Sequence, residues 1–170
     1  DDKAAEAASH DACQRKAGNE RFVAGKPRAG DLMAQVAQTA SGQYPFASIL
    51  GCMDSRVPPE LIFDQEIGDI FAARIAGNFT DTDLTGSLEF STKMVGSKLI
   101  LVLGHSQCGA VRGAIDDVKM GNLTATLSHI MPAVEAVRRS EGSEKKNPAE
   151  FLQRVAEVNV DLNVKKLTDQ

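Results

Sequence analysis

KLILVLGHSQCGAV, residues 98–111, is the stretch on which the reading of this chain turns. Five aliphatic residues, Leu99 to Leu103, run without interruption into Gly104. An apolar run this short, closed by a turn residue, reads as a buried strand. His105 then stands at the strand's carboxyl end with Cys108 three residues further on, and a helix is predicted from about Cys108 to Met120. Open α/β sheets bind their ligands at the carboxyl ends of strands, so a histidine and a cysteine in this position are candidates for chemistry.

Outward from this stretch the pattern alternates. FASILG (46–51), between Pro45 and Gly51, reads as a second buried strand, and DIFAARIAGN (69–78) as a third. Helices are expected over 3–24 and over 31–41, the latter with Asp31 as N-cap and Gly42 as its stop; together they make an N-terminal helical arm of about 3–42. ELIFDQ (60–65) follows Pro58-Pro59 and reads as a short helix. Residues 83–95 carry Leu84, Leu88 and Val95 at near-helical spacing before Gly96. Residues 123–140 are predicted helical with a break near Pro132, and 149–167 helical with Phe151, Val155, Val158 and Leu162 on one face. Strands alternating with helices predict an α/β fold, a mostly parallel β-sheet flanked by helices, within a single catalytic domain spanning 1–170.

Composition narrows the function. The chain has 170 residues, 42% hydrophobic and 25% charged, with a net charge of -4 and both signs scattered. That suits a globular domain with a real core and leaves no basic footprint for nucleic acid or an anionic membrane surface. The longest aliphatic run is far too short to span a bilayer. Three cysteines, Cys13, Cys52 and Cys108, are too few for a disulfide scaffold and suit a metal or a reactive thiol. The acidic, Met-less start DDKAAEA is expected of an exported mature protein, with a cytoplasmic location as the alternative.

Cys52 ends the 46–51 strand just as His105 ends the 98–104 strand. If the two strands are neighbours, Cys52, His105 and Cys108 converge as a Cys₂His set, the borderline-soft donor group that zinc prefers, with a fourth position left open. In CMDSR (52–56), alternate residues of an extended segment share a side, which places Asp54 and Arg56 with Cys52. Asp54 can take the fourth position or accept a hydrogen bond from a zinc-bound water. Arg56 can hold Asp54 off the metal through a bidentate pair. Zinc with two thiolates is formally neutral, and a carboxylate ligand would make the site negative, so a pairing cation restores the acidity that yields zinc hydroxide.

CMDSRV (52–57) together with GHSQCGAV (104–111) closely resembles the β-class carbonic anhydrases, and the likeness extends through PPELIFDQEIGDIFAARIAGN (58–78) and GSLEFSTKMVGSKLILVLGH (86–105). The resemblance implies a zinc enzyme that reversibly hydrates carbon dioxide to bicarbonate and a proton by zinc-bound hydroxide. It implies Cys52, His105 and Cys108 as Zn²⁺ ligands, Asp54 and Arg56 as a catalytic dyad, and Gly109 at a position lining the substrate pocket. It also implies a homodimer or homotetramer, with the N-terminal helix wrapped on the partner. Two departures stand out. Where some members have a tryptophan that helps form a non-catalytic bicarbonate site, this chain has Ile49 and no Trp at all. The final edge strand usual in relatives has no counterpart before Gln170.

Other readings compete. GHSQC is similar to a G-x-S-x-G nucleophile elbow with Ser106 as nucleophile, but Cys108 replaces the last glycine and Cys52 is left unexplained. A Cys52–Cys108 disulfide is conceivable if the strand ends meet. A zinc-storing module would have Asp54 as a permanent fourth ligand. His10 and Cys13 also match H-x-x-C, but no strand precedes them. Gln65 and Asn78 suit either the cleft or a turn or backbone cap, His129 reads as a satisfied helix residue, and Lys145-Lys146 as solvated surface.

Overall fold

The computed structural model describes residues 14–142 and 147–169; His10, Cys13 and Lys145-Lys146 lie outside the described residues. By contact density the chain forms two compact units interleaved in sequence. The first runs through Leu50 and adds Ser55–Ala73 and Leu84–Leu101; the second comprises Gly51–Asp54, Arg74–Asp83 and the chain from Val102 onward.

Three strands, β1 (Ala47–Gly51), β2 (Ile70–Arg74) and β3 (Leu99–Leu103), form one sheet in the order β2-β1-β3. Phe46 N–H donates to Asp69 O (3.0 Å) and Ile75 N–H donates to Gly51 O (3.1 Å), so pairing advances in the same direction on both strands. This is a parallel sheet, as the alternation of strands and helices demands. β1 is the central strand and is buried at all five positions, which explains why it reads as a continuous apolar run. Ile49 is wholly buried.

In the first unit, α1 (14–23) and α2 (Leu32–Thr39) precede β1, and α3 (Pro59–Ile62) follows it. Asp31 caps α2 as expected, accepting from Met33 N–H and Ala34 N–H at 3.0 and 3.1 Å. The predicted 83–95 helix is α4 (Thr82–Glu89) followed by a π-helix, Phe90–Val95, that ends at left-handed Gly96. The wider turn has a local cause. The hydroxyls of Ser91 and Thr92 both donate to Leu88 O, at 2.7 and 2.9 Å, and compete with the backbone for that carbonyl. Ser48 of β1 donates to Ser91 Oγ at 2.7 Å, fixing the distorted turn within the unit.

The second unit is the apolar core. Val111, Ala114 and Ile115 of α5 (Gly109–Ile115), Leu127 of α6 (Leu123–Ser128), Val134 and Val137 of α7 (Met131–Glu141) and Phe151 and Val155 of α8 (Pro148–Thr168) bury their side chains together with Ile130. Each fully buried Val, Leu, Ile or Phe contributes about 1.5–3 kcal/mol. Pro132 stands in the first turn of α7, where its missing N–H costs nothing, so the break between α6 and α7 falls where the sequence places it.

Three boundaries differ from the sequence reading. β2 stops at Arg74 rather than continuing to Asn78, because the chain turns at Gly77 and Asn78, both with positive φ. α5 stops at Ile115 rather than Met120. Asp117 adopts φ 53, its N–H bonds Ala114 O, and Val118 N–H bonds Gly113 O, a left-handed cap that closes the helix. On α8 the buried stripe continues from Phe151 and Val155 into Asn159 and Asn163; Val158 is only partly buried and Leu162 is 38% exposed.

In the first unit a single carboxylate ties three segments. Asp64, at φ 48, accepts from Arg21 Nε and from Arg28 N–H (3.0 Å), while Arg28 Nη2 donates to Asp64 O (2.7 Å). The hydrogen bond from Arg21 holds the Asp64 carboxyl below its ordinary value, with Arg28 assisting. A depressed carboxylate pKa stabilises above the unfolded value of about 3.9 and loses that stabilisation as pH falls through the folded value. Asp64→Asn, which tolerates the same backbone, is therefore expected to lower the melting temperature at neutral pH, and the gap to wild type should close as pH falls below about 4. Thermal unfolding of both proteins across that range is the check; a gap independent of pH would refute the assignment.

Candidate metal centre

Cys52 directly follows β1, held by an extension of the β1–β2 ladder: Ile75 N–H donates to Gly51 O, and Met53 N–H donates back to Ile75 O at 3.2 Å. His105 and Cys108 lie between β3 and α5, where Gln107 at φ 53 bends the chain so that residues three apart turn toward one point. The donor atoms of Cys52, His105 and Cys108 all lie within 4.8 Å of one another, the convergence expected from the two strand ends. All three residues belong to the second unit.

The two cysteines are free thiols, 4% and 1% exposed, with Sγ atoms 3.9 Å apart. A disulfide holds its sulfurs at about 2.05 Å, so the alternative bridge is absent. Two thiolates at about 2.3 Å from a tetrahedral ion stand about 3.8 Å apart, so the observed separation fits a shared cation. The imidazole fits too. Its Nδ1–H donates to Ser106 O at 2.9 Å, which leaves Nε2 as a lone pair, and that Nε2 is buried without a hydrogen-bond partner among the described residues. A backbone carbonyl fixing the tautomer of a ligating histidine is a common feature of metal sites.

Asp54 Oδ2 stands 3.9 Å from His105 Nε2, yet Asp54 is not one of the residues whose donor atoms all lie within 4.8 Å of one another. The carboxylate is therefore beside the donor set, not within it. Arg56, exposed in the turn after β1, belongs to the first unit. Gly109 is the exposed first residue of α5, with open space where a Cβ would point.

Electrostatics set the state of the thiols. The hydrogen bond from Cys108, with further donation from Gly77 N–H at 3.3 Å, pushes Cys52 well below the ordinary thiol range against the cost of burial. The Cys108 thiol is pushed up, because it donates a hydrogen bond to Cys52 and because burial and the neighbouring negative charge both oppose ionisation. The two shifts run in opposite directions, which favours a single proton shared between the sulfurs. Binding a cation displaces that proton.

Sequence reasoning missed Arg74. At the carboxyl end of β2, it donates from Nε to Cys52 O at 2.9 Å and from Nη2 to Asp54 O, so one guanidinium fixes the backbone that presents both side chains. No local signal marked it, because the strand read over 69–78 places Arg74 in its interior; only the structure ends β2 there. Gly77 was missed as well. Of the remaining candidates, the Gln65 amide donates to Phe63 O within the first unit. Asn78, at φ 41, is buried with its Nδ2 unpartnered. The His129 ring stacks on Phe79 with centroids 4.3 Å apart.

A family model described as carbonic anhydrase matches residues 47–170. The structure resembles that of a β-carbonic anhydrase from Aspergillus fumigatus, with a TM-score of 0.72 and 29% identity, covering 79% of this chain and 65% of that one. This chain belongs to the β-class carbonic anhydrase family. It is 44% identical over 126 residues to carbonic anhydrase 2 of Mycobacterium tuberculosis, an alignment covering 74% of this chain and 60% of the relative. It is 40% identical over 109 residues to a carbonic anhydrase of Mycolicibacterium smegmatis, covering 64% of this chain and 53% of that protein. One of two tetrameric β-carbonic anhydrases from Sordaria macrospora matches with a TM-score of 0.68 and 30% identity over 81% of this chain and 75% of its own. The chain thus spans little more than half the length of these mycobacterial relatives.

The paired thiols make a spectroscopic prediction. In the metal-free chain carrying Cys13→Ser, ultraviolet thiolate absorbance should appear in two separate steps, one below and one above the ordinary thiol value of about 8.5. A single step near that value would show that the two sulfurs do not interact.

Proposed function

We propose that this chain catalyses the reversible hydration of carbon dioxide to bicarbonate and a proton, with zinc held by Cys52, His105 and Cys108. The observation that carries the reading is the convergence of two buried sulfurs with an imidazole whose Nε2 has no hydrogen-bond partner among the described residues. Membership of the family supports the same reaction. Zinc bound there would lower the pKa of a water molecule and supply a nucleophile near neutral pH.

The chain's own groups supply the rest. The carboxylate of Asp54, beside His105, accepts a hydrogen bond from the attacking water and so aims a lone pair at the substrate carbon. Arg74 fixes the backbone of Cys52 and Asp54, so the carboxylate and the metal ligand move as one piece. Arg56, two residues on in sequence, is assigned the task of holding the Asp54 carboxylate off the metal. Gly109 leaves open space at the start of α5, which suits a position lining the pocket of a small substrate. The proton released with bicarbonate passes to buffer. We assign the assembled form as a homodimer or homotetramer, in keeping with the tetrameric relatives from Sordaria macrospora. Phe22, Leu32 and Met33 on the N-terminal helices, 45%, 64% and 74% exposed, are apolar surface that a partner subunit would cover. Among the described residues, no helix is long and apolar enough to cross a membrane.

Three measurements test this. Metal analysis should find one zinc per chain in wild type and a loss of most of it in Cys52→Ser; full retention would refute the ligand set. Asp54→Ala and Arg56→Ala should both keep zinc and lose hydration activity by about 10²-fold or more in stopped flow. Unchanged turnover in Asp54→Ala would leave the metal centre standing and remove the carboxylate from the reaction. Sedimentation at micromolar concentration should show a dimer or tetramer, and a monomer would overturn the assembly.

A further inference from the structure

α8 carries an expensive feature. Its inward stripe is apolar at Phe151, Leu152, Val155 and Ala156, then turns polar at Asn159 and Asn163, which are 2% and 6% exposed. Burying two carboxamides in place of two aliphatic side chains forfeits hydrophobic stabilisation and demands that every donor and acceptor be met. Here the demand is met by one short segment, residues 77–80. Asn159 Nδ2 donates to Gly77 O at 2.8 Å. Asn163 Oδ1 accepts from Thr80 N–H at 2.8 Å and from the Thr80 hydroxyl at 3.2 Å. Asn163 Nδ2 donates to Asn159 O at 2.7 Å and is 3.3 Å from Asn159 Oδ1, which ties the two amides into one unit. Lys166, a turn further along α8, donates to Thr80 O.

The captured segment leads straight to the metal centre. Gly77 N–H donates to Cys52 Sγ at 3.3 Å. Gly77 sits at φ +87, and a Cβ there would meet Ile130 Cδ1 at 2.4 Å. Only glycine can present its N–H from this position, and glycine is also the residue least able to hold a conformation by itself. Something outside the turn has to hold it: the Asn159 amide takes hold of Gly77 at its carbonyl, and Asn163 braces Asn159 and the Thr80 end of the same segment.

Resting on the assignment of Cys52 as a metal ligand, we propose that Asn159 and Asn163 are positioning residues of the metal centre: through Gly77 they aim a backbone N–H at the Cys52 sulfur and so set its donor strength toward the metal. A thiolate that accepts a hydrogen bond gives less electron density to its metal, and partners one shell out from a ligand commonly change metal affinity by about 10–100-fold. The arrangement makes the far half of α8, with no ligand of its own, part of the centre.

The test uses the full chain loaded with Co²⁺, in which the thiolate-to-cobalt charge-transfer band reports on the sulfur, and Zn²⁺ competition with a chromogenic chelator. Asn159→Ala is expected to shift the band and to change zinc affinity by about 10-fold or more. Asn163→Asp keeps the acceptor for Thr80 N–H, loses the donor to Asn159, and should move both readouts by less. Val137→Ala opens a cavity in the same core without touching the network; it should lower the melting temperature and leave band and affinity at wild-type values. If the band and affinity of Asn159→Ala match wild type, the inference is overturned and the metal centre stands. If the wild-type chain gives no thiolate-to-cobalt band, the metal centre itself falls and this inference with it. Where Asn159→Ala does not fold, Asn163→Ala is read by the same criteria.

Discussion

Two sulfur atoms 3.9 Å apart inside an apolar core constrain everything around them. If both were ionised, their repulsion would be about 4 kcal/mol at an effective dielectric of about 20, before the cost of burying either charge. That is comparable to the whole margin by which small domains stay folded. The pair therefore needs a shared proton or a shared cation. Neighbouring groups are arranged for both states: Gly77 N–H steadies the first thiolate, and Nε2 of His105, without a hydrogen bond among the described residues, completes a donor set that fits a cation. A donor set with this demand is suited to take up a metal in step with folding.

The constraint explains the rigidity of its surroundings. Ligand side chains at strand ends stand where regular hydrogen bonding stops, so their backbone needs other anchors. Arg74 provides one by bridging the carbonyls of Cys52 and Asp54, and the Ile75 backbone provides another by continuing the ladder past the end of β1. The left-handed bend at Gln107 supplies the third, turning a three-residue spacing into convergence. None of these groups is itself a donor to the metal. Each removes a freedom that would otherwise be lost when metal binds, and preorganisation of this kind is what makes a site strong.

α8 shows the balance between stability and placement. Its first half is ordinary core, and its second half gives up apolar burial for four hydrogen bonds to a turn. In the first unit, Asp64 and the Ser48–Ser91 pair act in a similar way, tying loops to the sheet or to one another with buried or half-buried polar contacts. In both units, polar groups are buried where irregular backbone must be held still.

Much of the fold and of the site is legible in the chain itself. Leu99–Leu103 and Ala47–Gly51 read as strands because a short apolar run closed by glycine has few other uses, and Asp31 and Pro132 mark helix starts by local chemistry that needs no distant partner. Cys52, His105 and Cys108 are identifiable because parallel sheets present their carboxyl ends together. Some departures are local, such as the left-handed cap that ends α5, but those nearest the candidate site are long-range. Val158 and Leu162 fit a helical face as well as Asn159 and Asn163 do by spacing, and hydrophobicity favours the wrong pair, because the partners of the amides lie some eighty residues earlier in the chain. Arg74 reads in the sequence as a cation inside the 69–78 strand; only folding ends the strand there and brings the carbonyls of Cys52 and Asp54 within reach of its guanidinium. By itself, the sequence determined the element order and the parallel sheet and pointed to Cys52, His105 and Cys108 as candidate donors, since these follow from periodicity and residue chemistry within short windows. Tertiary structure alone decided which backbone groups face the sulfurs and which helix holds them there, since a hydrogen bond between distant segments leaves no periodic trace in the chain that makes it.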